Sequence, residues 1–263
     1  MSARAMLRVG ASFLALTIGS IAMLVVAIST LGLARRFYSE TIGRWIGWSV
    51  LRLSGIRYHV HGATDRSGRQ TIYISNHTST LDVFILIGLA LPRTRFFLSG
   101  FLRKMPPIGI IGTLIRIFWT VPQEYPEQRR QIFKRADRVL RRTGDSVYLS
   151  PEGMRVTNGE IGAFNKGAFH LATSLRAQIV PIYIAIPRDI DPGMGYDAKP
   201  GTTDVHFLSP IDASNWRLAD LDANRRAVRD LFIRVHASMT RTGQLPADLS
   251  VDRAVERPEA ILV

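Results

Sequence analysis

The sequence predicts an α/β domain preceded by amino-terminal membrane helices. After Gly55, short runs rich in β-branched and aromatic residues alternate with helical patterns, which is typical of α/β folds. The chain has 263 residues, of which 46% are hydrophobic, enough for a sizeable core and too many for a disordered chain. A long uncharged segment from Val9 to Ala34 comes first. These three observations indicate an anchor followed by a folded domain.

The uncharged segment is long enough to cross a bilayer. Its 26 residues would form a helix of about 39 Å, against about 30 Å for the hydrocarbon core. The predicted helix 9–34 therefore either spans the membrane or lies embedded in it. A cleaved signal peptide is the alternative, because Gly32-Leu33-Ala34 resembles a small-x-small cleavage site, although signal peptides have shorter apolar regions. Arginines flank both ends, so charge predicts no orientation.

A second amino-terminal helix is predicted over 41–53. Its apolar residues, among them Trp45 and Ile46, fall on one helical stripe, and its arginines lie outside that stripe. Paired tryptophans favour the boundary between lipid headgroups and hydrocarbon. The helix is therefore either interfacial or an ordinary amphipathic helix that covers a core.

The periodicity divides the chain into an anchor at 1–54, a domain at 55–243 and a tail at 244–263. The predicted strands are Ile56–Val60, Thr71–Ser75, Arg95–Leu98, Ile117–Val121, Ser146–Leu149, Ile179–Ala185 and Val205–Leu208. The predicted helices of the domain are Thr80–Leu91, Ile108–Ile115, Glu127–Arg142, Lys166–Leu175 and Leu218–Met239.

The charge is distributed unevenly along the chain. The 34 Lys and Arg residues exceed the 21 Asp and Glu residues by 13, and residues 1–150 alone hold 21 basic and 7 acidic residues. The predicted helix 127–142 repeats a cation every four residues, at Arg130, Lys134, Arg138 and Arg142. This row is either a solvated face or a contact for anionic lipid headgroups. Nucleic acid is disfavoured because no aromatic residues interleave the charges.

The first candidate site follows the predicted strand Thr71–Ser75. Residues five apart in a continuous helix point about 140° from each other, so His77 meets Asp82 only if His77 lies in the turn before the helix. Asp82 would then approach one imidazole nitrogen and leave the other basic. The chain has no Cys and no G-x-S-x-G motif, so the activated hydroxyl would belong to a substrate. A capping turn is the alternative interpretation.

A second candidate site follows the predicted strand Ser146–Leu149. Gly153 permits a tight turn, and Arg155 offers a planar group for a phosphate or carboxylate. Glu152 would orient that group or bind a substrate hydroxyl. Open α/β sheets bind ligands at the carboxyl ends of their strands, where both candidate sites fall. A simple turn with a surface arginine is the alternative.

Other polar residues are assigned individually. Lys166 lies near the amino end of a predicted helix, and Pro181 lies in a strand, at an edge or at a bend beside the site. His59 and His61 alternate in the first strand and would offer two metal ligands, but no third ligand has suitable spacing. We therefore predict no metal site.

Four motifs occur in the order found in a known family. They are N-H-T-S-T-L-D at 76–82, P-E-G-M-R at 151–155, F-N-K-G-A at 164–168 and I-V-P-I at 179–182. The chain therefore resembles the lysophosphatidic acid acyltransferases, which are 1-acylglycerol-3-phosphate O-acyltransferases. The resemblance implies a two-layer α/β acyltransferase domain with a mixed, largely parallel sheet, anchored at the membrane by amino-terminal helices.

The resemblance also implies a reaction. An acyl group would pass from acyl-CoA or acyl carrier protein, without a cofactor, to the hydroxyl of a lysophospholipid. The expected acceptor is 1-acylglycerol-3-phosphate, which gives phosphatidic acid in phospholipid biosynthesis. The expected partners are these substrates and membrane lipids, with no nucleic acid. The catalytic domain is expected at the membrane, facing the cytoplasm.

The same resemblance assigns roles to the candidate residues. His77 would act as the general base, and Asp82 would orient it and stabilise the imidazolium that forms. Asn76 would support their turn. The expected substrate-binding set is Asn76, Lys104, Glu152, Gly153, Arg155, Lys166 and Pro181.

Two positions depart from the family's pattern. Family members have a Lys before a P-x-x-G turn and an Arg that closes a short strand, both associated with the acceptor phosphate, whereas this chain has Ser99 and Gln123 there. Arg103, Lys104 or Arg116 would have to compensate. Two alternatives therefore stay open: an acyltransferase for another lysolipid, such as a lyso-aminolipid, and a non-catalytic lipid-binding protein of the same fold.

Overall fold

A single seven-stranded sheet organises the part of the chain that the computed structural model describes, which is residues 3–62, 68–191, 193, 198–246 and 248–249. The strands are β1 Ile56–His61, β2 Thr71–Ser75, β3 Thr94–Ser99, β4 Phe118–Thr120, β5 Ser146–Leu149, β6 Gln178–Ala185 and β7 Gly201–Phe207. Their order is β1-β7-β6-β2-β5-β3-β4. Every neighbouring pair is parallel except β6 with β7. The predicted α/β fold with a mixed, largely parallel sheet is confirmed.

The helices agree with the predicted pattern except at the amino terminus. They are α1 Ala3–Ser29, α2 Arg35–Phe37, α3 Gly43–Leu53, α4 Leu81–Gly88, α5 Pro106–Leu114, α6 Pro126–Thr143, α7 Gly167–Leu175 and α8 Leu221–Thr242. The helix predicted over 9–34 therefore starts and ends earlier. It ends because Leu31 and Gly32 take positive φ angles of 51° and 75°, a left-handed backbone that interrupts a helix. Most of the predicted tail lies outside the described residues.

Helices pack on both faces of the sheet. One face packs against α1, α3, α4 and α5, and the other packs against α6, α7 and α8. Successive residues of a strand point to opposite faces, so Tyr73 enters the first core and Ile74 the second. All five residues of β2 are buried. The arrangement is therefore helix, sheet, helix, one layer more than the resemblance implies, because the central strands are apolar on both faces.

The first helix has two different faces. Its buried stripe runs from Ser12 through Gly19 to Ala27 and packs on α3 and α5. Its other face exposes large apolar side chains: Met6, Leu7, Val9, Phe13, Leu14, Ile18, Ile21, Leu24, Val25 and Ile28. The helix is long and apolar enough to cross a membrane by length and composition, and 39% of its most apolar window is buried within the protein. The exposed face is broad and apolar, as is typical of a surface that contacts lipid.

For the helix predicted over 41–53, the sequence left open whether it covers the core or lies at the membrane interface. Helix α3 has one face suited to each. Ile46, Val50 and Leu51 are buried and cover the core, whereas Trp45 and Trp48 are 45% and 48% exposed. A single π-helical turn, Tyr38–Ile42, joins α3 to α2.

The cation row of α6 does not share a layer with the exposed apolar face of α1. The helix α6 belongs to the opposite layer, and Arg130 forms an exposed ion pair with Glu127 at 3.2 Å. This placement favours the solvated interpretation of the row over a lipid contact shared with the apolar face of α1.

A buried ion pair lies at the amino ends of β3 and β5. Arg95 Nε lies 2.7 Å from Asp145 Oδ2, and the two side chains are each 5% exposed. Arg35 of α2 approaches the same carboxylate at 3.2 Å. Burial alone would raise the pKa of Asp145, but the two arginines outweigh it and hold the pKa below its ordinary value. The amino-terminal segment is thereby tied to the sheet.

We expect Asp145→Asn to destabilise the protein by about 3 kcal/mol, because it leaves the Arg95 charge buried without its partner. Thermal unfolding in detergent measures this. Because the folded-state pKa of Asp145 is lowered, its stabilising effect is present above the unfolded value and is lost as pH falls through the folded one. The matched control is Asp248→Asn, which removes an exposed pair with Arg234 and should cost less than about 0.5 kcal/mol. Equal losses in both variants would contradict a stabilising role for the buried pair.

Candidate active site

Both sequence-predicted motifs lie at the carboxyl end of the sheet. Residues 76–82 follow β2, and residues 150–155 follow β5, which pairs directly with β2 in parallel. Adjacent parallel strands of an open sheet bring the loops at their carboxyl ends together. The two motifs are in fact in contact, because the backbone N–H of Val156 donates to the carbonyl of His77 at 2.8 Å.

His77 and Asp82 form a hydrogen-bonded pair. His77 lies in the turn before α4, and its Nδ1 is 2.8 Å from Asp82 Oδ2. The same oxygen accepts the backbone N–H groups of Thr78 and Ser79, each at 2.9 Å. Asp82 is 1% exposed, so these donors complement a carboxylate that water does not reach. The predicted turn geometry is therefore present. The same turn satisfies both interpretations, because Asp82 binds the backbone N–H groups before α4 and also the imidazole of His77.

The orientation of the imidazole follows from this contact. With Nδ1 donating to Asp82, the Nε2 atom carries the free lone pair. Within the described part of the chain, Nε2 has no hydrogen-bond partner, and the side chain is 29% exposed. The ring is thus fixed on one side and open on the other, which is the arrangement of a general base.

Glu152 holds the backbone of the turn. Its Oε2 accepts the backbone N–H of His77 at 2.6 Å, and its Oε1 accepts that of Gly162 at 2.7 Å. Burial raises the pKa of Glu152, and these two hydrogen bonds partly offset the increase. The contacts assign Glu152 to positioning His77. Each carboxylate oxygen accepts one backbone N–H, and a direct contact of Glu152 with the acceptor stays a prediction.

Asn76 is also a positioning residue rather than a substrate ligand. Its side-chain amide donates to the carbonyl of Ile184 at 2.9 Å, and its side-chain oxygen accepts the N–H of Ile184 at 2.8 Å. The residue is 2% exposed. Both of its polar ends are therefore used to fasten the turn to β6.

Gly153 and Arg155 lie at the exposed rim of the site. Gly153 has a φ of 72°, which other residues adopt only at a cost, and a side chain there would collide with Asn165. Arg155 Nη1 donates to Thr80 Oγ1 at 2.8 Å and to the carbonyl of Gly193 at 3.2 Å. The guanidinium is thereby held next to the first turn of α4, beside the His77–Asp82 pair.

A further cation was missed by sequence reasoning. Arg129, in the first turns of α6, donates from Nη1 to the carbonyl of Val121 at 3.2 Å. Its Nη2 lies 3.7 Å from the position that a Cβ on Gly153 would occupy, and Gln123 Nε2 lies 3.1 Å from the same position. Arg129 thus stands next to the residue that replaces the family's arginine. The one signal in the sequence is that Arg129 follows the end of β4 closely along the chain.

The remaining predicted residues are not brought into contact with the pair. Lys166 forms an exposed ion pair with Asp222 of α8 at 2.8 Å. Lys104 is exposed at the end of a short 3-10 helix, Leu102–Lys104, which follows β3 at the same end of the sheet as the site. Arg116 interacts with Arg95 at the beginning of β3, which is the opposite end of the sheet, so it does not compensate at the site.

Pro181 lies in an interior strand rather than at an edge. β6 stands between β7 and β2, and Pro181 pairs in register with Ile74. Its carbonyl accepts the N–H of Leu208, just beyond the end of β7. The N–H and C=O of one residue point to the same side of a strand, so the N–H that proline lacks would have pointed toward β7, just beyond its end. The irregularity predicted at Pro181 is therefore the end of the neighbouring strand β7.

His59 and His61 share a contact with Asp204 of β7. The distances are 3.8 Å from His59 Nδ1 and 2.7 Å from His61 Nε2 to Asp204 Oδ1. Among the described residues, no group of three or more His, Asp and Glu side chains is arranged to hold a metal ion.

Comparisons with known proteins show what the chain is similar to. Residues 57–185 match the family model described as Acyltransferase. A 1-acyl-sn-glycerol-3-phosphate acyltransferase of Limnanthes alba is 28% identical over 192 residues, which cover 73% of this chain and 68% of that protein. The protein of the same name in Pseudomonas aeruginosa is 26% identical over 247 residues, which cover 93% and 91%.

A solved structure has the same fold. It is the 1-acyl-sn-glycerophosphate acyltransferase PlsC from Thermotoga maritima, with a TM-score of 0.65 and 19% identity, over 87% of this chain and 96% of that one. The family match, the curated relatives and the ordered motifs around His77 and Asp82 lead to one conclusion: the chain is an O-acyltransferase with an Acyltransferase domain at 57–185, similar to the 1-acyl-sn-glycerol-3-phosphate acyltransferases.

Proposed function

We propose that this enzyme transfers an acyl group from a thioester to the free hydroxyl of 1-acylglycerol-3-phosphate and so forms phosphatidic acid. The observation that carries the proposal is the His77–Asp82 pair, in which Nδ1 is engaged at 2.8 Å and Nε2 is open. Relatives named for this reaction support the acceptor.

The reaction follows from the orientation of the imidazole. Nε2 of His77 takes the proton from the acceptor hydroxyl as its oxygen attacks the thioester carbonyl. The imidazolium that forms is stabilised by the Asp82 carboxylate. The tetrahedral intermediate then collapses, the C–S bond breaks, and the leaving thiolate receives the proton from Nε2. The new ester bond and the free thiol balance the reaction, and no cofactor is required.

Arg155 and Arg129 supply the positive charge for the acceptor phosphate. Arg155 is held beside α4 by Thr80 and Gly193, and Arg129 is held beside Gly153 through the carbonyl of Val121. Arginine binds phosphate through several N–H donors at once. Arg129 therefore compensates for Gln123, which has no charge.

The donor is acyl-CoA or acyl carrier protein. Both present the acyl group as a thioester, so the same base at His77 and the same leaving thiolate serve either of them. The donor binds as a co-substrate and leaves as a free thiol after each turnover.

We further propose that the enzyme is monotopic. The buried stripe of α1 packs along α3 and α5, so one side of the helix stays attached to the domain over most of its length. Arg44 and Arg52 of α3 would enter the hydrocarbon if α1 crossed it with its packing partners. Residues 1–54 thus form an anchor that lies in one leaflet, and the acyltransferase domain at 55–243 faces the cytoplasm.

Replacement of the proposed base tests the catalytic assignment. We expect His77→Ala to lower kcat by about 10²- to 10⁴-fold, because a general base contributes that much to rate. Acyl transfer from acyl-CoA and acyl carrier protein to 1-acylglycerol-3-phosphate is the assay. The matched control is His170→Ala, an exposed histidine of α7, which should retain full activity. Full activity of His77→Ala would exclude the proposed mechanism.

The acceptor is tested with a panel of lysolipids that includes a lyso-aminolipid. We expect the highest kcat/KM for 1-acylglycerol-3-phosphate. We expect Arg129→Gln to raise KM for that acceptor by about 10- to 100-fold with a smaller change in kcat, because a charge-assisted hydrogen bond is worth roughly 1.5–3 kcal/mol. Arg130→Gln, one residue along α6, is the control and should leave KM unchanged. Preference for another headgroup would overturn the assigned acceptor, and no transfer to any acceptor would favour a lipid-binding protein.

A further inference from the structure

A cleft lies at the end of the sheet opposite the candidate active site. It has a volume of about 670 Å³ and is bounded by α3, the loop between α4 and β3, and the amino ends of β2 and β5. Its lining includes three arginines, Arg44, Arg69 and Arg93, and one acidic residue, Glu40. The active site uses the carboxyl ends of β2 and β5, so the two sites are separate.

The cleft opens beside the aromatic residues of α3. Trp45 and Trp48 line it and are 45% and 48% exposed. Arg52 lies over the Trp48 ring, with 5.4 Å from its guanidinium carbon to the ring centroid. Helix α3 belongs to the same layer as the exposed apolar face of α1. Tryptophan and arginine side chains in this setting occupy the headgroup level of a bilayer.

Among the described residues that line the cleft, positively charged side chains outnumber negatively charged ones. Glu40 accepts the backbone N–H of Arg93 at 2.9 Å, so its carboxylate is engaged by the loop. Arg93 Nη2 donates to the carbonyl of Thr143, which fixes the guanidinium. Its Nε is buried and has no hydrogen-bond partner among the described residues. At Arg93, the N–H donors therefore outnumber the acceptors that the described residues provide.

The loop that presents Arg93 is held in an unusual conformation. Ala90 and Arg93 both line the cleft and have positive φ angles of 49° and 50°. Residues with a side chain adopt this region only at an energetic cost, and such conformations cluster at ligand-binding sites. The loop is therefore fixed by its surroundings in a form that keeps the arginine at the cleft wall.

From these observations we infer that the cleft binds the phosphate group of an anionic membrane lipid, as an accessory site outside the catalytic centre. The phosphate lies among Arg44, Arg69 and Arg93, and the glycerol and acyl chains leave past Trp45 and Trp48 toward the bilayer. This site gives the enzyme a preference for anionic membrane surface, and it does not depend on the acceptor proposed above.

The test is isothermal titration calorimetry on the full chain in a neutral detergent. The titrants are dihexanoyl phosphatidylglycerol, dihexanoyl phosphatidylcholine and inorganic phosphate. The wild type should bind phosphatidylglycerol more tightly than either of the others. The variant R44Q/R69Q should bind it about 25-fold more weakly, since each arginine near an anionic lipid contributes roughly a factor of five. Circular dichroism confirms the fold, and Arg44→Gln alone, with about a fivefold loss, replaces the double variant if it misfolds.

The matched control is R138Q/R142Q, which removes the same charge from exposed positions of α6 in the opposite layer. It should change the affinity for phosphatidylglycerol less than about twofold. Equal loss in both double variants, or no loss in R44Q/R69Q, would overturn the site. Equal affinity for phosphatidylcholine would exclude selection of an anionic headgroup. Equal affinity for inorganic phosphate would assign the cleft to a free anion and overturn the lipid as its ligand.

Discussion

Two buried carboxylates hold the turn between β2 and α4, and the candidate active site depends on them. Asp82 gathers the imidazole of His77 and two backbone N–H groups on one oxygen, while Glu152 binds the backbone of His77 from the loop after β5. A buried carboxylate without donors is strongly unfavourable, so each one fixes the groups around it. Loops from two neighbouring strands are thereby locked together, and His77 is left with one free nitrogen.

Different features lie at the two ends and on the two faces of the sheet. Its carboxyl end carries the polar pair, and its amino end carries the Arg95–Asp145 ion pair and the cationic cleft. One helical layer presents apolar and aromatic side chains to lipid, and the opposite layer presents the charged row of α6. The excess of positive charge is therefore distributed over several surfaces. Part of it lies at the cleft beside α3, part is exposed on α6, and Arg129 and Arg155 stand at the site.

Sequence reasoning succeeded where local patterns decide the outcome. The limits of β2 and β5 agree with the prediction because both are short buried strands followed by polar turn motifs, and the His77–Asp82 contact follows from a five-residue spacing across a helix start. It failed where tertiary contacts decide. The roles of Asn76 and Glu152 depend on backbone groups far away in the chain, and the position of Arg129 depends on the rotation of α6 about its axis. The sequence pattern does not show which backbone groups Asn76 and Glu152 contact, and for Arg129 it shows only that the residue follows β4 closely.

The proposed mechanism requires His77 to carry its proton on Nδ1 and an open lone pair on Nε2 before the acceptor binds. Nitrogen NMR of the enzyme with ¹⁵N-labelled histidine, at alkaline pH, measures this tautomer directly, and the His77→Ala variant assigns the signal. We expect a protonated Nδ1 and an unprotonated Nε2, with both signals shifting when the acceptor is added. A proton on Nε2 in the free enzyme would exclude the proposed mechanism.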